Sequence, residues 1–158
     1  MTSADLVKTV AAEIRTALAD VKLRTEYAKK PTEENFVSVN VFEQYLPQDL
    51  FETTSYYPLV IVEWLDTKDD LDEEKSIATI GLTMGTYAKE ADGFLDALHL
   101  AEVIRQRLLT HRILAKKFRL VDEVNWTTPE AQPIPFYIIL AELKYNIQQP
   151  VQEFVNIY

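Results

Sequence analysis

The chain has 158 residues, 47% of them apolar and 26% charged, ordinary proportions for one globular domain that hides roughly 68–70% of its unfolded surface. Its net charge of −9, with a pI near 4.7, argues against non-specific binding to the outside of nucleic acid or to an anionic membrane, since both need a positive footprint. The lack of any cysteine excludes disulfides, thiolate metal sites and a cysteine nucleophile.

At the start, Met1 to Asp5 lack a basic segment followed by an apolar core, so no signal peptide is expected. The longest apolar run falls far short of the roughly 20 residues that span a bilayer, and a soluble intracellular chain is expected. Thr2 or Ser3 can cap a helix whose first turn suits Asp5. Leu6, Val10, Ile14, Ala17, Leu18 and Val21 then recur at three- and four-residue spacing, which predicts one helical face between Leu6 and Leu23. The polar run Lys29 to Asn35 breaks that pattern. From Phe36 to Phe42, Val37, Val39 and Val41 alternate with Ser38 and Asn40, the pattern of a half-buried strand.

Residues 44 to 58 read as a long connection carrying Tyr45, Phe51, Tyr56 and Tyr57 among acidic residues and prolines, a type of loop that often has a function. Leu59 to Leu65 is nearly all apolar and predicts a central strand covered on both faces. An acidic turn from Asp66 to Glu74 leads into a strand from Lys75 to Thr86, on which Ala78, Ile80, Leu82 and Met84 share a face. Asp92 is placed to cap a second helix with Phe94, Leu98, Ala101, Ile104 and Leu108 inward. Arg105, Arg107, His111 and Arg112 gather at its end, where positive charge is favoured. Residues 116 to 127 and 136 to 147 form a hairpin, with Tyr137, Ile139, Ala141, Leu143, Tyr145 and Ile147 on one face of its last strand.

The expected fold is α+β: a mainly antiparallel sheet of about five strands packed by two amphipathic helices, in one domain over residues 1–148 with an extended tail over 149–158.

Catalytic chemistry is thinly supplied. The run Asp66, Asp69, Asp70, Asp72, Glu73, Glu74 is dense enough in carboxylates for calcium, but it lacks the EF-hand spacing and has no glycine, so it reads as a solvated turn. Glu63, Glu142 and Asp122 interrupt apolar strands; two of them in one cleft would make an acid–base pair, but the simpler reading leaves each in solvent or paired across the sheet. His99 and His111 are too few for a zinc site, and no G-x-S-x-G elbow is present. Three glycines (Gly81, Gly85 and Gly93) cannot build a phosphate-cradling loop. Gly81 and Gly85 lie in a strand, where glycine marks a bulge or a close backbone approach. No enzyme activity, cofactor or metal is expected. Aromatic side chains outside the periodic elements, by contrast, suit a protein interface, with a small core over the sheet ends as the competing reading.

The opening helix from Leu6 to Leu23, the strand start Tyr56-Tyr57-Pro58-Leu59-Val60-Ile61-Val62, the Ile77 to Met84 strand after an acidic turn, the Asp92 to Leu109 helix and the strand start Pro133-Ile134-Pro135-Phe136-Tyr137 form a recognisable order. Over about residues 3 to 148 that order resembles the tail terminator (tail completion) proteins of long-tailed bacteriophages and related phage-like particles. The resemblance implies a hexameric ring that caps the last layer of tail-tube subunits, ends tube growth and joins the tail to the head. Its partners would be further copies of itself, the tail-tube protein and the head–tail connector protein, with DNA only passing through an acidic channel and no membrane. It would be assembled in the bacterial host cytoplasm and reside at the head-proximal end of the tail. No catalytic residue comes with the resemblance. Candidate interface positions are Phe51, Tyr56 and Tyr57 in the long loop, Asp69, Asp70 and Asp72 in the acidic turn, and Trp126, Ile134 and Phe136 around the last hairpin connection. The competing readings are a head–tail joining or head completion protein of the same kind of particle, and a small ligand-binding domain or hydrolase built on the strand carboxylates.

Overall fold

The computed structural model describes residues 2–24, 36–45, 56–89 and 92–153. Within them lie two helices, α1 (Ser3–Ala17) and α2 (Gly93–Thr110), and eight strands. In chain order the strands are β1 (Lys22–Arg24), β2 (Phe36–Ser38), β3 (Asn40–Glu43), β4 (Leu59–Asp70), β5 (Lys75–Tyr87), β6 (Ile113–Leu114), β7 (Phe118–Thr127) and β8 (Phe136–Ile147). Strands β3-β4-β5-β8-β7-β6 form one sheet in that order, and β1-β2 a second, smaller one. The fold is α+β as expected. The main sheet is mixed, because β3 runs parallel to β4 while every other pairing is antiparallel.

Thr2 caps α1 reciprocally: its hydroxyl accepts the Asp5 backbone N–H at 3.3 Å, and the Asp5 carboxylate accepts the Thr2 N–H at 2.9 Å. The helix buries Leu6, Val7, Val10, Ala11 and Ile14, then stops at Ala17 instead of running on to Leu23. Leu23 is still buried, but in β1, and its neighbour Arg24 reaches Asp96 at 2.7 Å and Asp92 at 3.1 Å on α2. Those tertiary contacts override the local periodicity. The strand expected over Phe36–Phe42 likewise divides at Val39, with β2 pairing to β1 and β3 pairing to β4.

Both inward faces predicted for the long strands are correct. Ala78, Ile80, Leu82 and Met84 of β5, and Tyr137, Ile139, Ala141, Leu143 and Tyr145 of β8, are buried in one core beneath the helices. On α2 the buried positions are Gly93, Ala97, Leu100, Ala101, Ile104 and Leu108; of the residues expected inside, Phe94 is half-buried and Leu98 is exposed. Asp92 occupies the N-cap position without a side-chain capping bond, its carboxylate being engaged by Arg24. At the other end of α2, Arg107 and His111 both reach Glu13 of α1, at 2.6 and 3.2 Å. The basic residues there tie two helices together as well as facing the helix dipole.

A second, smaller cluster closes part of the opposite face: Tyr57, Leu59, Ile61, Tyr87 and Ile138, with Phe42, Tyr56 and Phe136 packed against it. Strand β4 is therefore covered on both faces only from Leu59 to Val62. Past Glu63 it stays against the start of α1, with Thr67 Oγ1 3.1 Å from Ser3 Oγ, its register shifts between Trp64 and Asp66, and Trp64 and Leu65 are exposed. Two glycines allow the close approaches on this face. A Cβ on Gly85 would lie 2.7 Å from the Tyr57 ring, and one on Gly81 would meet Leu65 at 3.1 Å.

Candidate functional site: an acidic hairpin and a basic cleft

The hairpin tip is built by its own carboxylates. Asp70 Oδ1 accepts the backbone N–H groups of Asp72 at 3.1 Å and Glu73 at 3.0 Å, an Asx-type turn. Asp69 Oδ1 accepts the Ser76 hydroxyl at 2.6 Å. The Gln149 side-chain amide donates to the Asp70 and Lys75 carbonyls and to Ser76 Oγ, tying the start of the C-terminal segment to the last strand pair before the hairpin turn. Glu74 closes the turn in the left-handed region, with φ 53°. Two of the three candidate aspartates thus shape the turn, while Asp72, Glu73 and Glu74 face solvent. Between Asp66 and Glu74 there are six carboxylates and one lysine, Lys68.

The far edge of the sheet carries the opposite charge. From Arg105 through Arg119 the chain holds Arg105, Arg107, Arg112, Lys116, Lys117 and Arg119, and no Asp or Glu. This stretch covers the end of α2, β6 and the start of β7. Ala115 and Lys116 both adopt positive φ (52° and 58°) in the turn joining β6 to β7. Strand β7 then slips register against β8 between Val121 and Asn125, with Asp122 at φ 58°. This bulge stands beside a groove of about 270 Å³ between α2 and β7, with Arg105, Arg112 and Asp122 at its rim and Leu109, Leu120, Val124 and Trp126 inside. A second hollow of about 130 Å³ continues past Arg105 and Trp126 along Phe94 and Leu98.

The candidate interface positions fall into different environments. Tyr57 is 1% exposed, its ring 4.7 Å from that of Phe136. It is a core residue of the protomer, which corrects the expectation of a loop aromatic open to a partner. A strand start after proline places this ring over Gly85, and no period-2 or helical pattern signals that. Phe136 is half-buried between Tyr57 and Tyr87, and Tyr56 packs edge-on to Phe42 at 5.6 Å. Trp126 is half-buried along the α2–β7 groove, and Ile134 is exposed. Phe51 lies outside the described residues.

The strand carboxylates do not form a cleft. Glu63 and Glu142 both pair with Gly81, one from each side, so they sit in one row on the open face about 10 Å apart, two strand spacings. Asp122 is on the groove rim instead. Asp96, three residues before His99, is engaged by Arg24. Among the described residues no group of three or more His, Asp or Glu is placed to hold a metal ion, and no helix is long and apolar enough to cross a membrane.

The sequence reading missed the charge of residues 105–119 as a unit, because its basic positions were assigned singly to the helix dipole. The signal was available as a long interval without any acid. It also missed Leu71, 78% exposed at the hairpin tip among carboxylates.

No protein-family model matches this sequence, and no curated protein sequence is similar to it. The fold has counterparts among solved structures. One is a chain of the virion of a native gene transfer agent particle, matched with a TM-score of 0.50 at 12% identity over 94% of this chain and 100% of that chain. At that identity the likeness is one of fold.

Proposed function

We propose that this chain is a structural protein of a phage-like virion, acting as a tail terminator: a ring that caps the tail tube, ends its polymerisation and joins the tail to the head. The observation that carries the reading is the fold likeness to a gene transfer agent virion chain, which extends over the whole of that chain. The order of elements resembles the same class of particle independently of that comparison. The surface suits the role: opposite charges stand at opposite edges of one sheet, and complementary surfaces of this kind favour a head-to-tail contact between identical copies. The net charge of −9 fits a lumen along which DNA slides without sticking. On this reading the partners are further copies of the chain, the tail-tube protein and the head–tail connector protein. The strand carboxylates do not favour a hydrolase, since Glu63 and Glu142 stand apart on an open sheet face.

The test adds purified chain to polymerising tail-tube protein and follows tube length by negative-stain imaging. Shortened tubes with a ring at one end are expected. Binding to the connector ring and not to tube ends would replace this reading with a head completion role. No ring and no binding to either would overturn both.

A further inference from the structure

We propose that the β4–β5 hairpin tip of one subunit seats in the α2–β7 groove of the next, with Leu71 against the apolar side chains of its lining and the tip carboxylates facing Arg105 and Arg112. The inference rests on the assembly of copies proposed above and names the contact that would join them.

Leu71 is the first argument. It is 78% exposed in the turn that ends the β4–β5 hairpin, at a position where turn chemistry favours Gly, Asn, Asp or Ser. It contributes nothing to either core, and it is flanked by Asp70, Asp72, Glu73 and Glu74. An apolar knob ringed by negative charge calls for a hole ringed by positive charge. The groove combines both characters: Arg105, Arg112 and Asp122 make most of its exposed lining polar, and Leu109, Leu120, Val124 and Trp126 supply its apolar part. Its 270 Å³ is ample for one leucine side chain. Arg105 has only an exposed i,i+3 partner, Glu102 at 3.0 Å, and Arg112 Nε donates to the Leu109 carbonyl at 2.9 Å. Both guanidiniums therefore keep donors for incoming carboxylates. Asp122 is the one acidic group on the rim, and it favours an approach from the arginine side.

Topology makes the contact intermolecular. Strands β5 and β8 separate β4 from β7, a distance of roughly 14 Å. The tip is held in line by the full-length pairing of β4 with β5 and cannot fold back onto α2 of its own chain. Knob and hole are different surfaces at opposite edges of one sheet, so copies add head to tail, the geometry that closes rings.

The test uses the full-length chain in sedimentation velocity and light scattering over a concentration series. Leu71→Asp, and separately Arg105→Glu with Arg112→Glu, should each weaken self-association by about tenfold or more with circular dichroism unchanged. A hairpin-reversed variant, Asp72→Lys with Glu73→Lys, should also fail to assemble alone. Mixed with the groove-reversed chain it should regain assembled mass, because each reversed surface then meets its complement. If Leu71→Asp disturbs the fold, the exposed charge reversals and their mixing carry the test. A wild type that stays monomeric at every concentration overturns the proposal. So does assembly of the variants at wild-type strength, and rings in that case leave the terminator reading standing without this contact. Association that depends on Leu71 but yields dimers or open chains supports the contact and removes the ring.

Discussion

The two faces of the main sheet use the same strands and are closed by different means. On the helix side of β8, Tyr137, Ile139, Ala141, Leu143 and Tyr145 are all buried. On the other side Ile138 is closed over by Tyr57 and its neighbours, whereas Leu140 and Glu142 meet solvent. The helix side is a continuous layer that α1 and α2 create by burying one stripe each. The other side is a patch of rings around Tyr57 and Phe136 that ends near Glu63 on β4 and Leu140 on β8. Alternation along a strand therefore does not by itself say which face is outside, since a few aromatic residues from the connections turn part of an outer face into a second core.

The largest effect that tests this contrast is at Tyr57. Tyr57→Ala should destabilise the monomer by about 3–5 kcal/mol in urea unfolding, the usual cost of deleting a buried aromatic ring. The ring is fully enclosed, stacks on Phe136 and covers Gly85. A loss below about 1 kcal/mol, with assembly alone impaired, would return Tyr57 to the interface role that its position after a long loop suggested.

That misassignment marks what the sequence made legible. Strand β8 could be read residue by residue because its inward positions keep period 2 for eleven residues, Tyr137 to Tyr145 and on to Ile147. The β5 face was equally readable. The end of α1 was not, because Leu18 and Val21 continue the helical spacing past Ala17, and Arg24 finds its partners 68 and 72 residues away. The parallel β3–β4 pair was invisible for a related reason: four residues of strand do not encode the direction of their neighbour. Of the candidate surface, the acidic turn was plain from composition. The groove was not, since it depends on a bulge in β7 that sets Asp122 at positive φ with no glycine to announce it. Gln44 is similar: its side-chain amide pairs with both the N–H and the carbonyl of Trp64, extending the β3 edge by one residue in a way that no pattern predicts.

A matched pair of truncations on one strand sharpens the comparison. Leu143 is 0% exposed on the helix side and Leu140 is 37% exposed on the other. Leu143→Ala should cost about 3 kcal/mol, because it leaves a cavity between sheet and helices. Leu140→Ala should cost about 1.5 kcal/mol, since over a third of the residue already meets water and its loss leaves no enclosed cavity. Urea midpoints measured at constant m-value compare the two directly. Equal losses would mean that the open face is covered in the folded monomer after all.

The smallest expected effect lies in the deepest place. Tyr145 is fully buried on the helix side, and its hydroxyl has no hydrogen-bond partner among the described residues. Burial, with a lesser contribution from the nearby Glu13 charge, pushes its phenol well above the usual tyrosine range. Tyr145→Phe removes the unpartnered oxygen and leaves the ring in place, so stability at neutral pH should change by less than about 1 kcal/mol, with a gain as the favoured sign. The difference opens in alkali. The folded state holds this proton more tightly than the unfolded chain, whose phenol titrates near pH 10. Wild-type stability therefore falls as pH rises past that value, by up to about 1.4 kcal/mol per pH unit from this group. Tyr145→Phe lacks the group, so its stability should decline less steeply above pH 10, and the gap between the two chains should widen with pH. Parallel curves would show that the Tyr145 hydroxyl has a partner in solution, and that the inner face is less uniformly apolar at this point than its neighbours Leu143 and Ile80.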